Sequence, residues 1–109
     1  MKTLGLADVL REALQALEER IRLAYIYGSF ASGTARAKSD VDLMIVGDLG
    51  LKDLAGPLAE AERLLSREVN VTVYSEEEYR SRLNEEDGFV ARVHQGAKIM
   101  IMGKADDLK

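Results

Sequence analysis

Leu6, Val9, Leu10, Leu14, Leu17 and Ile21 recur at intervals of three and four, while Arg11, Glu12, Glu18, Glu19 and Arg20 fall mostly between them. That spacing predicts an amphipathic helix laid on a core. Arg22 to Tyr27 gathers Leu, Ile and two Tyr and stops at Gly28, which predicts a short buried strand, followed by a helical turn over Phe30 to Gly33. Val41 to Val46 is again apolar and β-prone, with Gly47 closing it and Asp40 and Asp42 at its start. Asp48 to Gly56 reads as a connection or short helical turn, and Pro57 as the first residue of a helix to about Ser66, with Leu58, Ala61, Leu64 and Leu65 inward. Val69, Val71 and Val73 alternate with Asn70, Thr72 and Tyr74, the period of a third strand with unlike faces. Ser75 and Glu78 form a capping box opening a helix to about Leu83, Asp87 is placed to cap another through His94 with Gly96 just past its end, and Ile99 to Met102 is a last strand. The order is that of an α/β (α+β) fold, with helices packed on a sheet of about four strands.

Composition narrows this picture. With 109 residues, 47% hydrophobic and 31% charged, the chain has the size and make-up of one folded unit spanning 1–109. It has no cysteine and one histidine, so a metal would be held mainly through oxygen. No apolar run approaches the roughly 18 to 20 residues of a membrane span, so a soluble cytoplasmic protein that makes no membrane contact is expected. A formal net charge of -4 argues against an extended nucleic-acid surface, which concentrates Lys and Arg.

The chemistry concentrates in "YIYGSFASGTARAKSDVDLMIVG", Tyr25 to Gly47. On a strand, Asp40 and Asp42 at i and i+2 point to one face, where two like charges repel unless a cation or donor compensates them. A divalent ion with oxygen ligands, Mg²⁺ or Mn²⁺, answers that need; alone, the pair reads equally as turn residues solvated at a strand mouth. Gly28-Ser29 lies beside it: a glycine after a buried strand lets backbone approach a ligand, and amides opening a helical turn face anions. Together the two strand ends offer donors for triphosphate oxygens and carboxylates for the metal those oxygens bind.

"GSFASGTARAKSDVDL", Gly28 to Leu43, resembles the signature of the DNA polymerase beta-type nucleotidyltransferases, and in particular their minimal stand-alone members. The resemblance implies the nucleotidyltransferase fold with its small mixed sheet. It implies that Gly28 and Ser29 hold the phosphates of a nucleoside triphosphate, that Asp40 and Asp42 ligate two Mg²⁺ ions, and that Ser39 positions Asp40. Arg36 and Lys38 are candidates to neutralise triphosphate charge, or else ordinary solvated loop cations. The activity implied is transfer of a nucleoside monophosphate, AMP from ATP above all, to an acceptor hydroxyl. Small members pair as antitoxins with helical HEPN-type toxins, so a partner of that kind is expected; a homo-oligomer is left open. A small-molecule adenylyltransferase shares the motif but usually adds a substrate-binding domain.

One position departs from the pattern. The third family carboxylate aligns with Asn70 in "REVNVTVYS", and an amide neither carries charge nor accepts a proton. Glu68, two residues earlier on the same expected face, is the candidate substitute, or a solvated residue at the strand start. The alternative function is therefore a catalytically weak nucleotide-binding or interaction module. His94, with nothing to orient it, reads as structural, and the acids Glu76 to Glu78 as a helix N-terminus.

Overall fold

A computed structural model of the protein describes residues 5–104. Its elements run α1 (Leu6–Leu14), a 3₁₀ segment (Gln15–Arg20), β1 (Ile21–Tyr27), α2 (Ser29–Ser32), β2 (Val41–Gly47), α3 (Leu51–Leu65), β3 (Val69–Tyr74), α4 (Glu76–Leu83), α5 (Phe89–Gln95) and β4 (Ile99–Met102). The four strands form one mixed sheet in the order β3-β2-β1-β4; β1 runs antiparallel to β2 and β4, and β2 parallel to β3.

Strand alternation assigns the two faces. Ala24 and Ile26 of β1 and Val41, Leu43 and Ile45 of β2 pack with Leu10 and Leu14 of α1 and Leu54, Leu58 and Ala61 of α3. Leu23, Tyr25, Met44 and Val46 point the other way, against Tyr79 of α4 and Val90 of α5. Burying each large aliphatic side chain contributes about 1.5–3 kcal/mol, so a sheet covered on both faces explains the near-continuous apolar runs of β1 and β2. The Tyr25 and Tyr79 hydroxyls share a 2.7 Å hydrogen bond within this second layer, and Tyr79 meets His94 Nδ1 at 2.8 Å. Burial drives the Tyr25 phenol far above its ordinary value, so it stays a neutral hydrogen-bonding group.

Three boundaries differ from the sequence reading. The first helix tightens into a 3₁₀ segment after Leu14, and Ile21 opens β1 instead of ending a helix. α3 begins at Leu51, six residues before Pro57: Gly50 is its N-cap, and Asp53 accepts from the Gly50 amide at 2.9 Å. That hydrogen bond, with Arg20 beside it, holds the Asp53 carboxyl below its usual range. Pro57 therefore sits inside the helix, where it gives up one backbone hydrogen bond; Leu54 and Leu58 on the buried face keep the helix continuous across it. Leu64 is 56% exposed, so the inward stripe is Leu54, Leu58 and Ala61, with Leu65 partly buried against the same core. α5 starts after Gly88, and Asp87 is not its cap. The Ser75–Glu78 capping box forms as expected, with both reciprocal bonds at 3.1 Å. No helix among the described residues is long and apolar enough to cross a membrane.

Candidate functional site

The two motif segments converge where β1 ends and β2 begins. Tyr27, the last residue of β1, is the register partner of Asp42 on β2, and Asp42 is the register partner of Asn70 on β3. Asp42 has the parity of Met44 and Val46, so its carboxylate projects from the face that carries α4 and α5. Asp40 precedes β2 with the same parity and is exposed, whereas Asp42 is half-buried. The i, i+2 spacing thus places both carboxylates on one side of the sheet end.

Gly28 explains why that end is open. Its backbone, at φ 74° and ψ -148°, lies in a region essentially closed to other residues. A Cβ there would stand 2.4 Å from Asp42 Oδ2, so the carboxylate occupies the space a side chain would fill. Gly28 is also the N-cap of α2, and its carbonyl accepts from the amides of Ala31 and Ser32. The amides of Ser29 and Phe30 precede any carbonyl one turn below, so the short turn faces the same opening with donors. Gly33, in the left-handed region, ends α2.

The connecting loop is held by a residue that sequence reasoning did not single out. Arg67, between α3 and β3, brings Nη1 within hydrogen-bond distance of the carbonyls of Arg36 (3.2 Å), Ala37 (2.9 Å) and Ser39 (3.0 Å). Its guanidinium also lies 4.9 Å over the Phe30 ring of α2. One side chain therefore ties α2 to the segment that delivers Asp40. Arg67→Ala is expected to cost about 0.5–1.5 kcal/mol, since water can replace the guanidinium at these largely exposed carbonyls, and to speed trypsin cleavage after Arg36 and Lys38. Arg67→Lys, which keeps the charge without the planar fork, should fall between. Thermal melting with timed proteolysis checks this; unchanged cleavage in the alanine variant would remove the positioning role.

Ser39 does not hydrogen-bond Asp40: its hydroxyl accepts from the Arg36 amide at 2.8 Å, closing a turn completed by Ser39 N–H to Arg36 O. Arg36 and Lys38 are exposed on that loop. Asn70, aligned with the family's third carboxylate, lies beside the pair and donates from Nδ2 to Asp40 Oδ2 at 3.3 Å. The amide thus partly compensates one carboxylate. Glu68 precedes β3; its carbonyl accepts from Val41 N–H, and its exposed carboxylate makes no hydrogen bond or ion pair among the described residues. His94 is held by Tyr79 within the α4–α5 layer, as a structural residue of that layer. Burial raises the Tyr27 phenol above its ordinary value, and the Asp42 carboxylate adds to that effect.

Among the described residues no three His, Asp or Glu side chains gather closely enough to hold a metal. Two carboxylates beside a Cβ-free opening fit a divalent ion that takes the rest of its oxygen shell from phosphate, the usual habit of Mg²⁺.

Comparison with known proteins bears on the fold. The family model for the nucleotidyltransferase domain matches residues 7–94. No curated protein matches the sequence at a significant level. Among solved structures, a toxin–antitoxin complex with AMP-PNP superposes with a TM-score of 0.62 at 15% identity, covering 93% of this chain and 76% of that one. The tri-AMPylated HEPN toxin of Shewanella oneidensis in complex with its MNT antitoxin gives 0.55 at 12% identity, over 94% of this chain and 73% of that one. The spectinomycin adenyltransferase of Enterococcus faecialis with ATP and spectinomycin gives 0.61 at 15% identity, over 94% of this chain but 58% of that one. At these identities the likeness is one of fold.

Proposed function

Since the chain belongs to the nucleotidyltransferase domain family, we propose that Gly28, Ser29, Asp40 and Asp42 hold a nucleoside triphosphate with Mg²⁺ (or Mn²⁺) for transfer of a nucleoside monophosphate, AMP from ATP, to an acceptor hydroxyl. The observation that carries this reading is the Asp42 carboxylate lodged against Gly28, 2.4 Å from where a Cβ would be. A strand end cleared of side chain on one side and edged by carboxylates on the other suits a phosphate chain that arrives with its own cation.

The Ser29 hydroxyl and the first amides of α2 are donors for phosphate oxygens, and Arg36 and Lys38 are within the loop that can close over them. Bound at Asp40 and Asp42, the divalent ion would neutralise the triphosphate and lower the pKa of the attacking hydroxyl. In the transfer the acceptor oxygen bonds to the α-phosphorus, the α–β phosphoanhydride breaks, and pyrophosphate leaves. The acceptor is best sought on a partner protein: the Shewanella oneidensis complex, similar in fold, pairs an antitoxin with an AMPylated HEPN toxin. A nucleoside triphosphate substrate also fits a cytoplasmic location.

A second reading follows from Asn70. Its amide, bonded to Asp40, cannot take the acceptor's proton and brings no negative charge to the ion. On that reading the domain binds Mg²⁺-nucleotide with little turnover and acts as the antitoxin-like partner of a helical HEPN-type protein.

Calorimetry of the wild type with ATP, with and without Mg²⁺, tests the shared premise. Binding is expected to require Mg²⁺, and Asp40→Ala to weaken it by about 10-fold or more, the loss of one charged ligand. ATP bound equally well without the ion, or undiminished in Asp40→Ala, would remove the site.

A further inference from the structure

A cleft of about 400 Å³ opens on the other side of Gly28, between the end of β1 and α5, with Tyr27, Ser32, Phe89, Arg92 and Val93 in its walls. Resting on the triphosphate reading above, we propose that this cleft seats the nucleobase, with Phe89 as its stacking partner.

Continuity comes first: Gly28 lines the cleft and also borders Asp42, so a ligand whose phosphates lie over Gly28 has its other end at the cleft mouth. The volume falls in the usual range of small-molecule sites. The walls match a flat ring. Phe89 meets Tyr27 edge-on, centroids 5.8 Å apart at 74°, and yet is 42% exposed. A large aromatic left partly in water at the edge of a cleft offers a π face at little further ordering cost. Arg92 lies three residues on, hence on the same side of α5, and has no carboxylate partner among the described residues. Its guanidinium can stack on a base or donate to ring nitrogens, and it complements a polyanionic ligand. Apart from Arg92 the chemistry is shape and stacking, which favours purines for their larger face and does not encode a strict choice between adenine and guanine.

The test compares ATP with inorganic tripolyphosphate, both with Mg²⁺, by calorimetry on the wild type, Phe89→Ala and Ala97→Phe. The second variant narrows the cleft from the loop after α5 without removing a packed residue, so it carries the test should Phe89→Ala fail to fold; circular dichroism verifies each. ATP is expected to bind the wild type about 10-fold or more tighter than tripolyphosphate, the scale of one base–aromatic stack. Both variants should lose that advantage while tripolyphosphate binding stays unchanged. Equal affinities for the two probes, or an ATP advantage that survives both substitutions, would overturn the base seat and leave the carboxylate site standing. If neither probe binds with Mg²⁺, the carboxylate site falls and the base seat with it.

Discussion

Asn70→Asp is expected to raise Mg²⁺-dependent pyrophosphate release by about 10²- to 10⁴-fold, the typical contribution of a placed general base. The geometry says why this position and not another. Asn70 pairs in register with Asp42, shares its face, and already reaches Asp40 at 3.3 Å. An aspartate there replaces a donor by an acceptor within one side-chain length of both carboxylates. The substitution therefore has a second, opposite consequence. Without a cation it removes the Asn70 hydrogen bond that compensates Asp40 and adds a third like charge, so the metal-free protein should melt lower than wild type. Added Mg²⁺ should restore the difference, because an ion that binds only the folded site stabilises it by mass action. Pyrophosphate assays with a candidate acceptor protein, paired with melting curves with and without Mg²⁺, read both effects. A gain in rate with Mg²⁺-dependent stability supports a domain whose turnover is limited by one amide. If Mg²⁺ lifts the melting temperature but the rate stays flat, some other group takes the acceptor proton, and Glu68→Gln in the same background asks whether it is that nearby acid.

The residues of this site were legible in the sequence to the extent that they are local. Gly28-Ser29 and Asp40-x-Asp42 bracket one loop, and the family resemblance set Asn70 facing the pair, at the position of its third carboxylate. What stayed hidden depends on contacts between distant segments. Arg67 gave no signal because its partners are backbone carbonyls some 30 residues away, invisible to any side-chain pattern. Ser39 departs from expectation for a related reason: its hydroxyl accepts from the Arg36 amide and closes a turn within the loop. Pro57 misled through a sound rule, its preference for the first helical turn; the buried face through Leu54 and Leu58 carried the helix six residues further back. The Phe89 cleft is built from β1, α2 and α5, and its Phe looked like any apolar residue of a short helix.

Gly28→Ala should damage both the fold and the site, and it acts by two separable routes. A φ of 74° with ψ of -148° costs a residue with a Cβ about 1–3 kcal/mol. The added carbon also falls 2.4 Å from Asp42 Oδ2, inside any tolerable contact, so the carboxylate must swing away or β1 and α2 must part. The variant is accordingly expected to lose stability and all measurable Mg²⁺-nucleotide binding together. Pairing it with Asp42→Ala separates the routes. Asp42→Ala alone should abolish binding with little change in melting, since it removes a half-buried charge. The double variant should recover the steric part of the stability lost by Gly28→Ala and keep the backbone part, so the two substitutions are non-additive by the size of the clash. Strict additivity would mean that the carboxylate does not occupy the space beside Gly28, and the close approach on which the nucleotide site is built would be withdrawn. A full recovery would mean instead that the backbone at Gly28 relaxes freely, and that the glycine serves only to make room for Asp42.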